Sequence, residues 1–271
     1  MGPWHESVER LGWFTTVFFA IVVVAAGASG VALVVAPDST ESYFSWTLRP
    51  TGAAALIGGF YLASAAVFGW SLTLPWRQVR PLVVGVLGLA VPTLVLTLVH
   101  DEVFDFGRWQ AVGWLALFVV APVSATAAVL TGGREPAGGP RLRAWSRAAL
   151  VVLALALLVL ASAIWFEETR DAVARQSPVD LLRLTGTYLG AWCSFLALLC
   201  GWAAARDRWD DARVPLATLV ATSAGATLGL LRSYDELRRP VLAVASAVAV
   251  LAVSAAMYAT NQPSEPAAAD L

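Results

Sequence analysis

Lysine is absent from this chain, and histidine, cysteine and methionine occur twice each. Only 14% of the residues are charged, against roughly 25% in an ordinary soluble domain. Too few charges remain to cover the outside of a soluble protein of 271 residues. Neither sign dominates, with 18 basic and 19 acidic residues, so the basic footprint of a nucleic-acid-binding protein is missing. All the basic residues are Arg, which, with abundant Ala, Val and Leu, points to a GC-rich bacterial genome.

The reactive groups are as sparse. His-Glu-x-x-His, a Gly-rich phosphate loop and Gly-x-Ser-x-Gly are all missing. His5 and His100 fall on opposite sides of the expected membrane and cannot share a heme within it. Cys193 and Cys200 lie seven residues apart, two turns along one helix face, too far apart for a disulfide. They read as packing thiols. No catalytic residue, cofactor or metal is expected, and the chain reads as a non-enzyme.

What is abundant is apolar surface. Hydrophobic residues make up 58% of the chain, and the mean hydropathy is +0.70. A helix needs about 20 apolar residues to cross about 30 Å of hydrocarbon. Eight stretches qualify: 12–36, 50–72, 81–100, 109–131, 145–166, 181–204, 213–232 and 239–260. None carries a charge in its middle, which argues against a proton-coupled pump with a buried acid. Pro50, Pro81, Pro215 and Pro240 are expected at or near first turns. Pro92 and Pro122 are expected to kink spans three and four. The first span resembles a signal peptide, with Ala26-Gly-Ala-Ser29 as a cleavage site. It is longer than the usual apolar region of one and occupies the place of span five, so it is read as a permanent helix.

The chain also repeats itself. Leu48-Arg49-Pro50-Thr51-Gly52 is echoed by Leu182-Arg183-Leu184-Thr185-Gly186, 134 residues later. His100-Asp101-Glu102 is echoed at the same offset by Tyr234-Asp235-Glu236. Gly69-Trp70 matches Gly201-Trp202, and Arg80-Pro81-Leu82 matches Arg213-Val214-Pro215-Leu216. The expected fold is all-α, with eight transmembrane helices in two parallel four-helix repeats related by an axis along the membrane normal. The expected division is a first repeat over 1–131, a cytoplasmic linker over 132–144, a second repeat over 145–260 and a disordered tail over 261–271.

Sidedness follows from Arg. Ten lie on the face of the two termini and eight on the other, so the positive-inside rule favours a bacterial cytoplasmic membrane with both termini inside. Ten of the 12 Trp lie near span ends, as an aromatic belt would. Trp114 and Trp192 lie deeper.

Several polar residues remain to be placed. Thr93, Thr97, Thr218, Thr222, Ser223 and Thr227 are expected to bond their own or a neighbouring helix. His100, Asp101, Glu102 and Asp105 resemble an oxygen-rich cation site, but the second unit replaces the pattern with Arg238 and Arg239. Arg49 and Arg183 open spans two and six, and the Asp-Glu pairs close spans three and seven, each against its helix dipole. Ion pairing would relieve this: Arg49 with Asp101 or Glu102, and Arg183 with Asp235 or Glu236. The rival use of these six residues is binding a headgroup or solute. Gly186-x-x-x-Gly190 and Gly225-x-x-x-Gly229 mark close helix approaches.

Phe44-Ser-Trp-Thr-Leu-Arg-Pro50, Gly58-Gly-Phe-Tyr-Leu-Ala63 and Leu98-Val-His-Asp-Glu-Val-Phe-Asp-Phe106 resemble a group of uncharacterised polytopic membrane proteins from actinobacteria, built on a duplicated four-helix unit. The resemblance implies membrane helices but no activity, so no site residues follow from it. The reading that results is an accessory or structural membrane component. Its expected partners are membrane lipids and a membrane-protein partner or a second copy. The alternative is a carrier of a small neutral or lipidic solute at the interface between the repeats.

Overall fold

In hydrocarbon every backbone N–H and C=O must be satisfied within the segment, so apolar runs of this length become helices. The computed structural model describes residues 11–133, 138–166, 177 and 183–263, with Arg183 through its backbone alone. His5, the middle of the linker (134–137), the tail beyond residue 263 and the Arg183 side chain lie outside the described residues.

Among the described residues eight long helices are present: α1 Trp13–Val35, α2 Thr51–Ser71, α3 Trp76–Val99, α4 Trp109–Thr131, α5 Ala144–Trp165, α6 Arg183–Arg206, α7 Trp209–Arg232 and α8 Pro240–Asn261. All eight are long and apolar enough to cross a membrane, and among the described residues there is no strand. The protein is an all-helical, multi-pass membrane protein.

Two boundaries differ from expectation. α3 begins at Trp76 and α7 at Trp209, several residues before the apolar runs. The extra turns carry Arg77, Gln78, Asp210 and Asp211, polar residues that a helix tolerates at its end. Pro81 and Pro215 therefore lie inside their helices, one turn later than expected, while Pro50 caps α2 and Pro240 opens α8. Asn261 is also displaced: it belongs to α8 and not to a tail.

The helices divide into central and peripheral sets. In α2, 61% of the apolar window is buried, against 11% in α8. α2, α3, α6 and α7 form the middle, and α1, α4, α5 and α8 flank it. α1 packs on α2, α2 on α7, and α7 on α8, making one row. α5 packs on α6, α6 on α3, and α3 on α4, making the other. Each row holds two helices from each half of the chain, and α3–α7 and α6–α7 contacts join the rows. α2 has no comparable contact with α3, although the two are consecutive.

Small residues explain the pairings. Lipid supplies no hydrophobic drive between helices, so close van der Waals approach and polar contacts must hold them together. At the α2–α7 crossing, a Cβ on Gly59 or on Gly225 would overlap the other's carbonyl. One turn on, a Cβ at Gly229 would sit 2.6 Å from Ala55 O and Leu56 Cα. The α1–α2 crossing uses Gly30 against Leu62 and Gly58 O, at 2.9 and 3.0 Å from such a Cβ. At α3–α6 the contact is looser, with Gly85 facing the side chains of Phe195 and Leu199. Gly190 faces Trp165 and Ile164 of α5.

Candidate functional site

Three regions hold the polar and aromatic residues that could serve a function: the far face, the face of the termini, and a cavity among α1 to α4.

At the far face the expected clamp takes a different form. Arg49 pairs with Glu41, 3.8 Å away, and both side chains are exposed; it does not pair with Asp101 or Glu102. The reason is the helix order. α2 lies against α7 and not α3, so the acid that reaches its N-terminus comes from the turn after α7. Glu236 Oε2 accepts from the Thr51 hydroxyl and from the Gly52 N–H at 3.0 Å. A carboxylate there satisfies orphan N–H groups and suits the helix dipole. Among the described residues, Glu102 makes no such bond to Thr185 or Gly186. Asp235 flanks the cap. The Arg183 side chain is outside the described residues, so its pairing with Asp235 or Glu236 is too.

The cation-like set is tied into local structure. His100 Nδ1 lies 3.2 Å from Leu96 O, and Asp105 Oδ1 accepts from Gly107 N at 3.0 Å. Among the described residues, no three of His, Cys, Asp or Glu are grouped to hold a metal.

On the face of the termini, the repeated motifs meet across the halves. Arg80 of α3 lies over the Trp202 ring of α6 at 5.5 Å, and Arg213 of α7 over the Trp70 ring of α2 at 5.1 Å. Each is a cation–π contact, and each joins the first half to the second. Gln78 of α3 braces the second of them: its Nε2 donates to Asp210 Oδ1 at 3.2 Å, and its Oε1 accepts from Arg213 at 3.3 Å. Asp210 also pairs with Arg77 at 3.5 Å. Asp211 accepts from Trp202 Nε1 at 3.1 Å and pairs with Arg206 at 3.4 Å. Further out, Asn261 Oδ1 accepts from Arg143 N at 2.7 Å, and its Nδ2 donates to Ser146 Oγ at 2.8 Å. This ties the end of α8 to the start of α5. Asp210 and Asp211 are each paired with an Arg, while Arg80 and Arg213 keep their charge against Trp rings.

Within the spans, three of the expected hydroxyls bond their own helix. Thr97 donates to Thr93 O, Thr218 to Val214 O and Thr227 to Ser223 O, each at 2.8 Å. Thr93 Oγ1 is buried without a hydrogen-bond partner. Thr97 Oγ1 also accepts from the Trp114 indole at 3.0 Å, which accounts for one of the two deep Trp residues. Both Cys193 and Cys200 are free thiols.

The cavity lies between the rows, among α1, α2, α3 and α4, and has a volume of about 210 Å³. α6 closes its floor with Tyr188 and Trp192. It runs along α4 from Trp109 to Ala121, about 18 Å at 1.5 Å per residue. Many of its walls are rings, among them Phe18, Phe44, Tyr61, Phe68, Trp114 and Phe118, and no charged residue lines it. The rings lock one another edge to face. Trp46 and Trp114 have centroids 4.9 Å apart, and Trp114 and Tyr188 5.4 Å apart. Tyr61 and Tyr188 hydroxyls bond at 2.8 Å across the two halves. At the far-face mouth, Tyr43 donates within the α1 end, 2.7 Å from Ala36 O and 3.1 Å from Ala32 O. Burial, and secondarily the Asp38 charge, raises the Tyr43 phenol above its usual pKa.

Both deep Trp residues, the exceptions to the aromatic belt, line this one space. Their separate positions in the chain do not connect them. The signal they share is depth: aromatic residues in mid-span on different helices. No protein-family model, curated protein or solved structure matches the chain.

Proposed function

We propose that this membrane protein is a non-enzymatic accessory or structural component of a bacterial cytoplasmic membrane, with both termini inside and with two repeats of four spans. One observation carries the reading: at the α2–α7 crossing the two halves come close to backbone contact. The Gly59–Gly225 crossing leaves no room for a pathway, and the reciprocal Arg–Trp contacts close the terminal face. A carrier working at that interface would have to part both. Those two Arg–Trp contacts exchange equivalent motifs between the halves, which supports the repeat. Ten of the 18 Arg lie on the terminal face, which supports placing that face inside.

The test is a distance measurement. Spin labels at Thr131 and Gln262, at the ends of α4 and α8, report the relative position of the halves in lipid vesicles. A structural component gives one narrow distance distribution under all conditions. Two distributions that exchange with candidate solutes would replace this reading with a carrier.

A further inference from the structure

We propose that the cavity among α1 to α4 is a binding site for one hydrocarbon chain of a membrane lipid, entering from the far-face leaflet. Such a site is compatible with a structural component and with a carrier alike.

The chemistry of the walls selects the occupant. About 210 Å³ is room for several water-sized groups, but a stable buried water needs two to four polar partners. The mouth has few to offer. Ser45 donates to Gln110 O at 3.1 Å, and Gln110 Nε2 to Ser42 O at 3.3 Å. The Tyr61 and Tyr188 hydroxyls bond one another. Ser29 and Ser64 also line the space, and Trp192 Nε1 is buried there without a hydrogen-bond partner, but with no charged group in the lining an ionic solute finds no countercharge to offset its lost hydration. An unfilled void would forfeit dispersion contacts along every wall. A lipid chain supplies them, and lipid is the surrounding solvent.

The shape and place agree. The space is elongated along α4 and lies behind the seam between α1 and α4, two helices that touch lightly. Both carry exposed apolar side chains on their outer faces, including Val24, Val31, Val119 and Val123, so the seam opens to lipid. α4 carries Trp109, Trp114 and Phe118, whereas Tyr258 is the one ring on α8.

Gly113 offers the means to test this. It lines the cavity, and a Cβ there would meet nothing within 4 Å. The full chain is placed in phospholipid vesicles containing a photoactivatable acyl-chain phospholipid or, separately, a photoactivatable isoprenoid phosphate. Crosslinked residues are then mapped. The expected result is labelling of cavity-lining residues by one of the two probes, and which one labels identifies the chain. Gly113→Phe is expected to cut that labelling about tenfold, equivalent to about 1.4 kcal/mol. Labelling on the lipid-facing side of α8 is expected to be unchanged. Ser64→Phe fills the same space from α2 and serves if Gly113→Phe does not fold. Labelling of the lining no greater than that of α8, or labelling unaffected by a folded filling variant, would overturn the proposal.

Discussion

The first four spans and the last four share their motifs but use their side chains differently. In the first half, rings gather at depth: Phe44, Trp46 and Trp114 pack edge to face, and a cavity remains between them and α1. The second half has a mostly aliphatic cluster of its own, Leu142, Leu150, Leu216, Leu219 and Met257 beside Trp209, while its deep rings Tyr188 and Trp192 face the cavity of the first half. The capping differs as well, since Glu236 reaches over to cap α2, while Glu102 caps nothing among the described residues. The comparison separates what the halves do together, which is to hold the bundle, from what the first half adds, which is a shaped apolar space.

The comparison can be broken most severely at the helix crossings. Gly225→Leu is expected to destabilise the protein by about 3 kcal/mol or more, because its neighbour is the rigid Gly59 backbone. Gly88→Ala, which meets the end of the Leu198 side chain, is expected to cost about 1 kcal/mol or less. Gly201→Ala, with nothing within 4 Å, is expected to gain a few tenths from helix propensity. Thermal unfolding in detergent ranks the three, and equal losses at Gly225 and Gly88 would remove the distinction between the two crossings.

The knot at the end of α8 comes next. Asn261→Ala leaves Arg143 N and Ser146 Oγ without their partner and is expected to cost about 1–3 kcal/mol. It should loosen α5 and α8 while sparing the first half, as hydrogen exchange would show.

The cation–π pairs sharpen the symmetry. Arg80→Ala and Arg213→Ala are each expected to cost about 0.5–2 kcal/mol. Arg213 should cost more, since it also loses the bond to Gln78. As each Arg has its own Trp, the double variant should be close to additive. Strong non-additivity would mean that the two contacts act as one unit.

The far face should respond least. Glu236→Gln removes a charged cap and is expected to cost about 0.3–1 kcal/mol, while Glu102→Gln should be silent. Arg49→Ala breaks an exposed pair with Glu41, expected to contribute about 0.2–1 kcal/mol at low salt and less at high salt. A large loss at Glu102 would restore the pairing expected from the chain alone.

Much of this architecture is legible in the order of residues. Span number follows from apolar length, and the lack of charge within the spans is plain in the chain. The Gly-Trp and Arg-Pro-Leu motifs stand out as repeats, and Gly225-x-x-x-Gly229 as a close approach. The partner of each is not legible. Arg80 and Trp202 lie on helices far apart in the chain, and nothing in their spacing says that they meet. The expected pairing of Arg49 fails for the same reason: consecutive spans two and three look like neighbours, and the bundle separates them. Asn261 reads as tail because polarity marks both a disordered end and a buried polar knot.

By itself the sequence determined an all-helical protein of eight spans, because the thickness of hydrocarbon and the need to satisfy the backbone locally act on each segment alone. Those constraints are short-range and show in any 20-residue window. Tertiary structure alone decided that α2 lies on α7, that Glu236 and not Glu102 caps it, and that rings from α1, α2, α4 and α6 enclose a cavity. These outcomes depend on which surfaces fit when all eight helices compete for neighbours, and in lipid that choice rests on small residues and a few polar contacts far apart in sequence.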